Sequence, residues 1–175
     1  MDSMELSILF AGREIHMIAI EIENIKKFMA GFLGGNLFDD FLMNEGRLSM
    51  DIAYEFNGKV LKEFYDTEEW EQYGTYAYIP WEREKERIFS LIKGKKTPLG
   101  FQFVLMLKPE KAEEFLMKYN LALGTEEVTG LFINLLYDRK SLKCTSGASR
   151  RSFTLDRGLE EYWDHEVKEC LKEFM

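Results

Sequence analysis

Two stretches of this chain align with each other at one constant offset: residues 48–55, LSMDIAYE, and residues 131–138, LFINLLYD. Leu48 answers Leu131, Met50 answers Ile133, Asp51 answers Asn134, Ile52 answers Leu135, Tyr54 answers Tyr137 and Glu55 answers Asp138. VLK at 60–62 answers SLK at 141–143, and Trp81 answers Trp163, with Ile88, Phe89 and Ile92 following the first tryptophan at the spacings of Cys170, Leu171 and Phe174 after the second. Upstream, MIAIEI running into ENIKKFMAGFL answers FQFVLML running into KPEKAEEFLMKYN. The pattern reads as a duplicated unit. Either unit alone would leave one sheet face bare, which ties the halves into one folding entity.

The elements follow from period and punctuation. MIAIEI (17–22) and FQFVLML (101–107) are short apolar runs of strand formers. Asn24 is placed to cap the first helix and Gly34 and Gly35 to stop it, while Pro109 opens the helix after the second strand. Asn57-Gly58, between DIAYEF and KVLKEFY, predicts a tight hairpin, and Asp138 to Lys140 predicts the matching connection in the second copy. PWEREKERIFSLIKG has Pro80 before it and Gly94 after it, marking both ends of a helix. A last helix from about Asp156 places Leu159, Trp163, Val167, Cys170, Leu171 and Phe174 on one stripe. Each half therefore reads β-α-β-β-β-α. The predicted class is α+β: a single domain over 1–175, with an extension at 1–16 that carries a strand near Met4 to Phe10, and pseudo-symmetric halves at 17–96 and 97–175. A mainly antiparallel sheet is covered by helices, an arrangement reminiscent of a sliding-clamp domain.

Composition narrows the function classes. Hydrophobic residues make up 46% and aromatics 14%, enough for a core without disulfide help. The formal charge of -8 weighs against nucleic acid or an anionic membrane as a partner. Cys144 and Cys170 form no C-x-x-C pair and read as small core residues of a protein kept in a reducing compartment. His16 and His165 cannot build a zinc site; Glu161 and His165, four apart on a helix, make half of one at best. The N-terminus lacks a signal-peptide pattern and no apolar run is long enough to span a bilayer, so the cytoplasm is the expected location.

MIAIEI, FDDFLMNEG, SLIKGKKTPLGF, VTGLFINLLY, CTSGAS and SFTLD together resemble an uncharacterised family of small bacterial proteins, a domain-of-unknown-function family, from about Met17 to the end. The resemblance implies no activity, cofactor or catalytic residue. It implies that residues 1–16 are either an extension peculiar to this chain or the product of an upstream start codon.

Candidate sites are few. CTSGASRRSFTL, residues 144–155, lacks the second glycine and the following helix of a phosphate loop. It reads as a hairpin, SLKCT in, SGAS as the turn and RRSFTL out, with Gly147 at positive φ. Thr145, Ser146, Ser149, Arg150 and Arg151 are its candidate anion-binding groups. Lys93, Lys95 and Lys96 suit a helix C-terminus; in the functional reading these three lysines join Arg150 and Arg151 in one basic patch, with Lys95 and Lys96 as its candidate ligand-binding members. Asp39 and Asp40 on a strand would face opposite ways and could not share a proton. The acidic run at 66–74 reads as an exposed loop with Trp70 and Tyr73 as anchors. With no G-x-S-x-G, metal set or cofactor fingerprint, the favoured function is a non-catalytic module binding a protein partner, a second copy of itself or a small ligand. An enzyme or binding protein for an anionic, phosphorylated small molecule using residues 145–151 is the alternative. A clamp-like nucleic-acid-associated protein is the third, by fold analogy.

Overall fold

A computed structural model describes residues 4–10 and 13–175, with side chains from residue 17 onward. The extension's side chains, His16 among them, lie outside the described residues. In chain order the elements are β1 (Met4–Phe10), β2 (Arg13–Glu21), α1 (Ile25–Met29), β3 (Phe41–Ser49), β4 (Ala53–Phe56), α2 (Thr67–Tyr73), β5 (Ile79–Pro80), α3 (Trp81–Ile92), β6 (Gly100–Leu107), α4 (Pro109–Lys118), β7 (Val128–Tyr137), β8 (Leu142–Arg150) and α5 (Gly158–Leu171). The fold is α+β. One antiparallel sheet runs in the order β1-β2-β8-β7-β6-β3-β4, and the short β5 also pairs with β3.

Strand alternation sorts the sheet into two faces. Ile18, Ile20 and Ile22 of β2 and its continuation, Phe101, Phe103 and Leu105 of β6, and Leu131, Ile133 and Leu135 of β7 are buried in a single core. The core's other wall is helical: Phe28 and Phe32 from α1 and its extension, Trp81 and Ile88 from α3, Phe115 from α4, and Leu159, Trp163 and Val167 from α5. On the opposite face Gln102, Val104, Met106, Phe132 and Asn134 are half-buried and have no helix over them.

The punctuation signals behave as their chemistry requires. Asn24 Oδ1 accepts from Lys27 N at 3.2 Å and caps α1. That helix continues into a π-helical turn, Ala30–Gly34. Pro80 precedes α3 and Pro109 opens α4. Asp138 closes the β7–β8 hairpin, accepting from Lys140 N at 3.0 Å and Ser141 N at 2.9 Å, and these backbone donors hold its carboxyl below the usual range. Both repeat tryptophans are buried, and each indole N–H donates to a main-chain carbonyl at 3.0 Å. The acceptor of Trp81 is Phe32 O in the π-helical turn, whereas that of Trp163 is Phe132 O in β7.

The structure corrects several expectations. SGAS is not a turn: β8 runs straight through it, Gly147 pairs with Phe132, and the positive-φ glycines among the described residues are Gly58 and Gly94. The small side chains serve packing instead, for Ser146 is buried beneath α5. Gly147→Ala is therefore expected to change stability by less than about 1 kcal/mol, because the new methyl meets only Phe132 Cβ at 3.8 Å. Urea unfolding checks this, and a larger loss would contradict the extended geometry.

The remaining corrections concern partners and exposure. Asn57-Gly58 does turn the chain, but KVLKEFY does not return along β4. β4 pairs with β3 through residues 50–52, while Lys59 bridges to Tyr78. SFTL forms no strand, leaving Phe153 and Leu155 exposed. Cys170 is exposed rather than buried, in contrast to Cys144. Asp39 and Asp40 sit in a turn, where Asp39 is held by Lys85 at 2.6 Å, so they form no dyad.

Candidate functional site

Between Gly58 and β5 the first half makes an excursion with no counterpart in the second. Its acidic run is α2 rather than a loop: Asp66 accepts from Glu69 N at 2.8 Å, and Glu69 reaches back to Asp66 N at 3.2 Å. This D-x-x-E capping box was legible in the sequence. The excursion folds against the first turn of α3 and borders an open pocket of about 510 Å³.

Three charged residues of α3, Arg83, Glu84 and Arg87, line that pocket. The Arg83 guanidinium lies over the Tyr73 ring, 4.0 Å from its centroid, and 5.8 Å from that of Tyr65, in cation–π contact with both. Its Nη1 is closed off from solvent and meets no hydrogen-bond acceptor among the described residues. Glu84 is only 2% exposed. Its Oε1 accepts from Arg87 Nη1 at 3.3 Å, and Oε2 lies 3.1 Å from the same nitrogen. Burial pushes the Glu84 carboxyl above its ordinary range, against the opposing pull of Arg87. At the mouth, Leu61 and Phe64 are 63% and 82% exposed. Lys59 adds a further cation to the lining and Glu55, which faces Arg47 at 3.8 Å, a second carboxylate. The arrangement offers a planar, charge-bearing donor beside bare apolar surface.

The residues singled out by sequence do not assemble into one site. Ser146 donates to Asp164 and accepts from Ile18 N at 3.3 Å. Ser149 accepts from Thr129 at 2.6 Å. Arg150, 8% exposed in its side chain, makes a two-pronged pair with Glu160 at 3.2 and 2.8 Å. Arg151 is exposed and bonds through its backbone N to Glu127 O, while Thr145 is half-buried on the helix-free face opposite Asn134. Lys95 and Lys96 line a different cavity, of about 370 Å³, that includes Tyr137. Arg150 pairs with Val128 at the far end of β7, so the length of that strand separates the two basic groups by roughly 30 Å. No shared basic patch forms.

Sequence reasoning missed Arg83. Its signal, an arginine one turn into a helix preceded by an aromatic-rich insertion, becomes meaningful only when the excursion brings Tyr65 and Tyr73 over it.

Other features are self-satisfied. A concavity of about 640 Å³ beside β3 and β4 has Arg47 facing Glu55 at 3.8 Å. Among the described residues no group of three or more His, Cys, Asp or Glu is arranged to hold a metal ion, and no helix is long and apolar enough to cross a membrane.

No curated protein and no solved structure matches the chain significantly. A family model does, over residues 31–174, beginning in the π-helical turn rather than at Met17. With most of its length matched, from that turn through α5, the chain belongs to DUF5721, a family of unknown function.

Proposed function

We propose that the protein is a non-catalytic binding module that takes an anionic group, a carboxylate or phosphate on a small molecule or on a partner, into the Arg83 pocket. The observation that carries this reading is the unmet Nη1 donor of a guanidinium that sits over the Tyr73 ring. Leaving a donor buried without an acceptor costs about 1–3 kcal/mol, more when it is charged. An anion relieves that cost after a small rotation of the guanidinium within its own plane. Arginine suits the task because its fork matches a carboxylate or phosphate geometrically. Leu61 and Phe64 at the mouth would cover an apolar portion of the same ligand. The alternative site at 145–151 receives less support: Arg150 Nη1 is likewise a buried donor without an acceptor among the described residues, but its Nε and Nη2 are already committed to Glu160, and Ser146 to Asp164.

Thermal unfolding tests the reading. Inorganic phosphate or citrate at a hundredfold excess over Kd adds about 2.7 kcal/mol, which for a chain of this size raises Tm by roughly 5–11 °C. The Arg83→Gln variant should lose that shift. If phosphate, citrate and sulfate all leave the wild-type Tm unchanged, the Arg83 pocket is not an anion site.

We also infer that the two halves descend from one β-α-β-β-α unit. Supporting this are the burial of both Trp81 and Trp163 and the order β-α-β-β-α, shorter than the expected β-α-β-β-β-α, that both halves keep once α2 and β5 are set aside; the residue offset gives no support, since it lays the end of β3, its turn and β4 on β7 alone and matches exposed Ile52 with buried Leu135.

A further inference from the structure

At the other end of α3 a second cavity has a different character. Its wall is the apolar side of α1 and the π-helical turn, through Ile25, Met29 and Leu33, and Phe101 and Tyr137 also line it, stacked on each other with centroids 5.1 Å apart. Its volume of about 370 Å³ is near the lower end of the ~300–1,000 Å³ range of small-molecule sites. No acidic residue lines it, whereas Lys95 and Lys96 do. Both lysines are exposed and neither is in an ion pair among the described residues, in a chain whose net charge is -8. Gly94, at φ +153, would present any added Cβ to open space, and it lines the cavity together with the two lysines that follow it. The π-helical turn is itself a departure from regular helix of a kind found frequently at functional sites.

We propose that this cavity binds a small amphipathic carboxylate, its alkyl chain lying along Met29, Leu33 and Tyr137 and its head group between Lys95 and Lys96. Charge selects the head and the apolar lining selects the chain; a polar anion would leave the lining unused, and an uncharged hydrocarbon would leave the two lysines unanswered. A membrane surface is disfavoured as the source of that head group, because the chain's acidic balance opposes approach to anionic lipid. The site shares no lining residue with the Arg83 pocket and does not depend on it.

The test is isothermal titration of the full chain with sodium decanoate below its micelle concentration, alongside decyltrimethylammonium, which has the same chain and the opposite charge. Decanoate is expected to bind saturably at one site and the cation is not. Lys95→Glu/Lys96→Glu should weaken decanoate by at least about tenfold. Ala30→Trp, which fills the cavity from its exposed rim, should abolish binding. Unchanged Tm in both variants establishes that they fold, and Arg83→Gln should bind decanoate as the wild type does. Absence of saturable decanoate binding to the wild type, its persistence in Ala30→Trp, or equal uptake of the cation would each overturn the proposal. So would recruitment to phosphatidylglycerol vesicles by a chain that ignores free decanoate.

Discussion

Gly58→Ala is expected to cost about 3 kcal/mol or more, against a total stability of about 5–15 kcal/mol for a domain of this kind. Gly58 has φ +65, and a Cβ built on it would stand 2.0 Å from Met43 O and 2.7 Å from Asn44 O. These are backbone atoms of β3, at the place where its register against β6 shifts between Met43 and Glu45. The carbonyl of Gly58 also accepts from Ile79 N at 2.8 Å, so the turn is held on its other side as well and cannot simply lift away. Left-handed backbone and close approach therefore act on the same methyl group. Urea unfolding of Gly58→Ala beside Gly147→Ala makes the contrast, and a loss under about 1 kcal/mol at Gly58 would show that the turn does not cross β3 as described.

Trp81→Ala should be the most damaging core substitution, at about 3–5 kcal/mol, lowering Tm by roughly 6–20 °C. Trp81 is 0% exposed and stacks on Phe32 at 4.3 Å with rings 9° apart. Its indole N–H donates to Phe32 O in the π-helical turn at 3.0 Å. Truncation thus opens a cavity and orphans an acceptor at once. Trp81→Phe separates the two effects: it keeps an aromatic ring but removes the donor, and should cost about 1–3 kcal/mol. Equal losses in the two variants would assign the whole effect to the hydrogen bond.

The helix ends were legible in the sequence because their signals act locally. Asn24, Pro80 and Pro109 each work through their own backbone or the next turn, and all three stand where expected. Strand pairing was less legible, since a turn signal gives a conformation without naming the partner. Asn57-Gly58 has the positive φ that its sequence requires, yet the chain leaves it for Tyr78 rather than folding back on β4. SGAS misled for a related reason: small residues suit turns, but they also suit a strand packed closely under a helix, and Ser146 is placed by Asp164 far along the chain. The Arg83 pocket was illegible because its parts come from α3 and from an insertion whose docking only tertiary contacts decide.

The sheet order has a consequence for biosynthesis. β2 pairs not with its sequence neighbour β3 but with β8, and the main-chain N–H groups of Glu23 and Asn24 donate to Phe174 O at 2.9 and 3.0 Å. A ribosome delivers β2 early and β8 near the end, so β1 can cover one edge of β2 while the edge that faces β8 emerges unpaired. Such long-range closure is slow, and uncovered edges invite association with other chains. A nascent chain halted before residue 142 would be a sheet divided in two, which ties the acquisition of native structure to the release of the finished polypeptide.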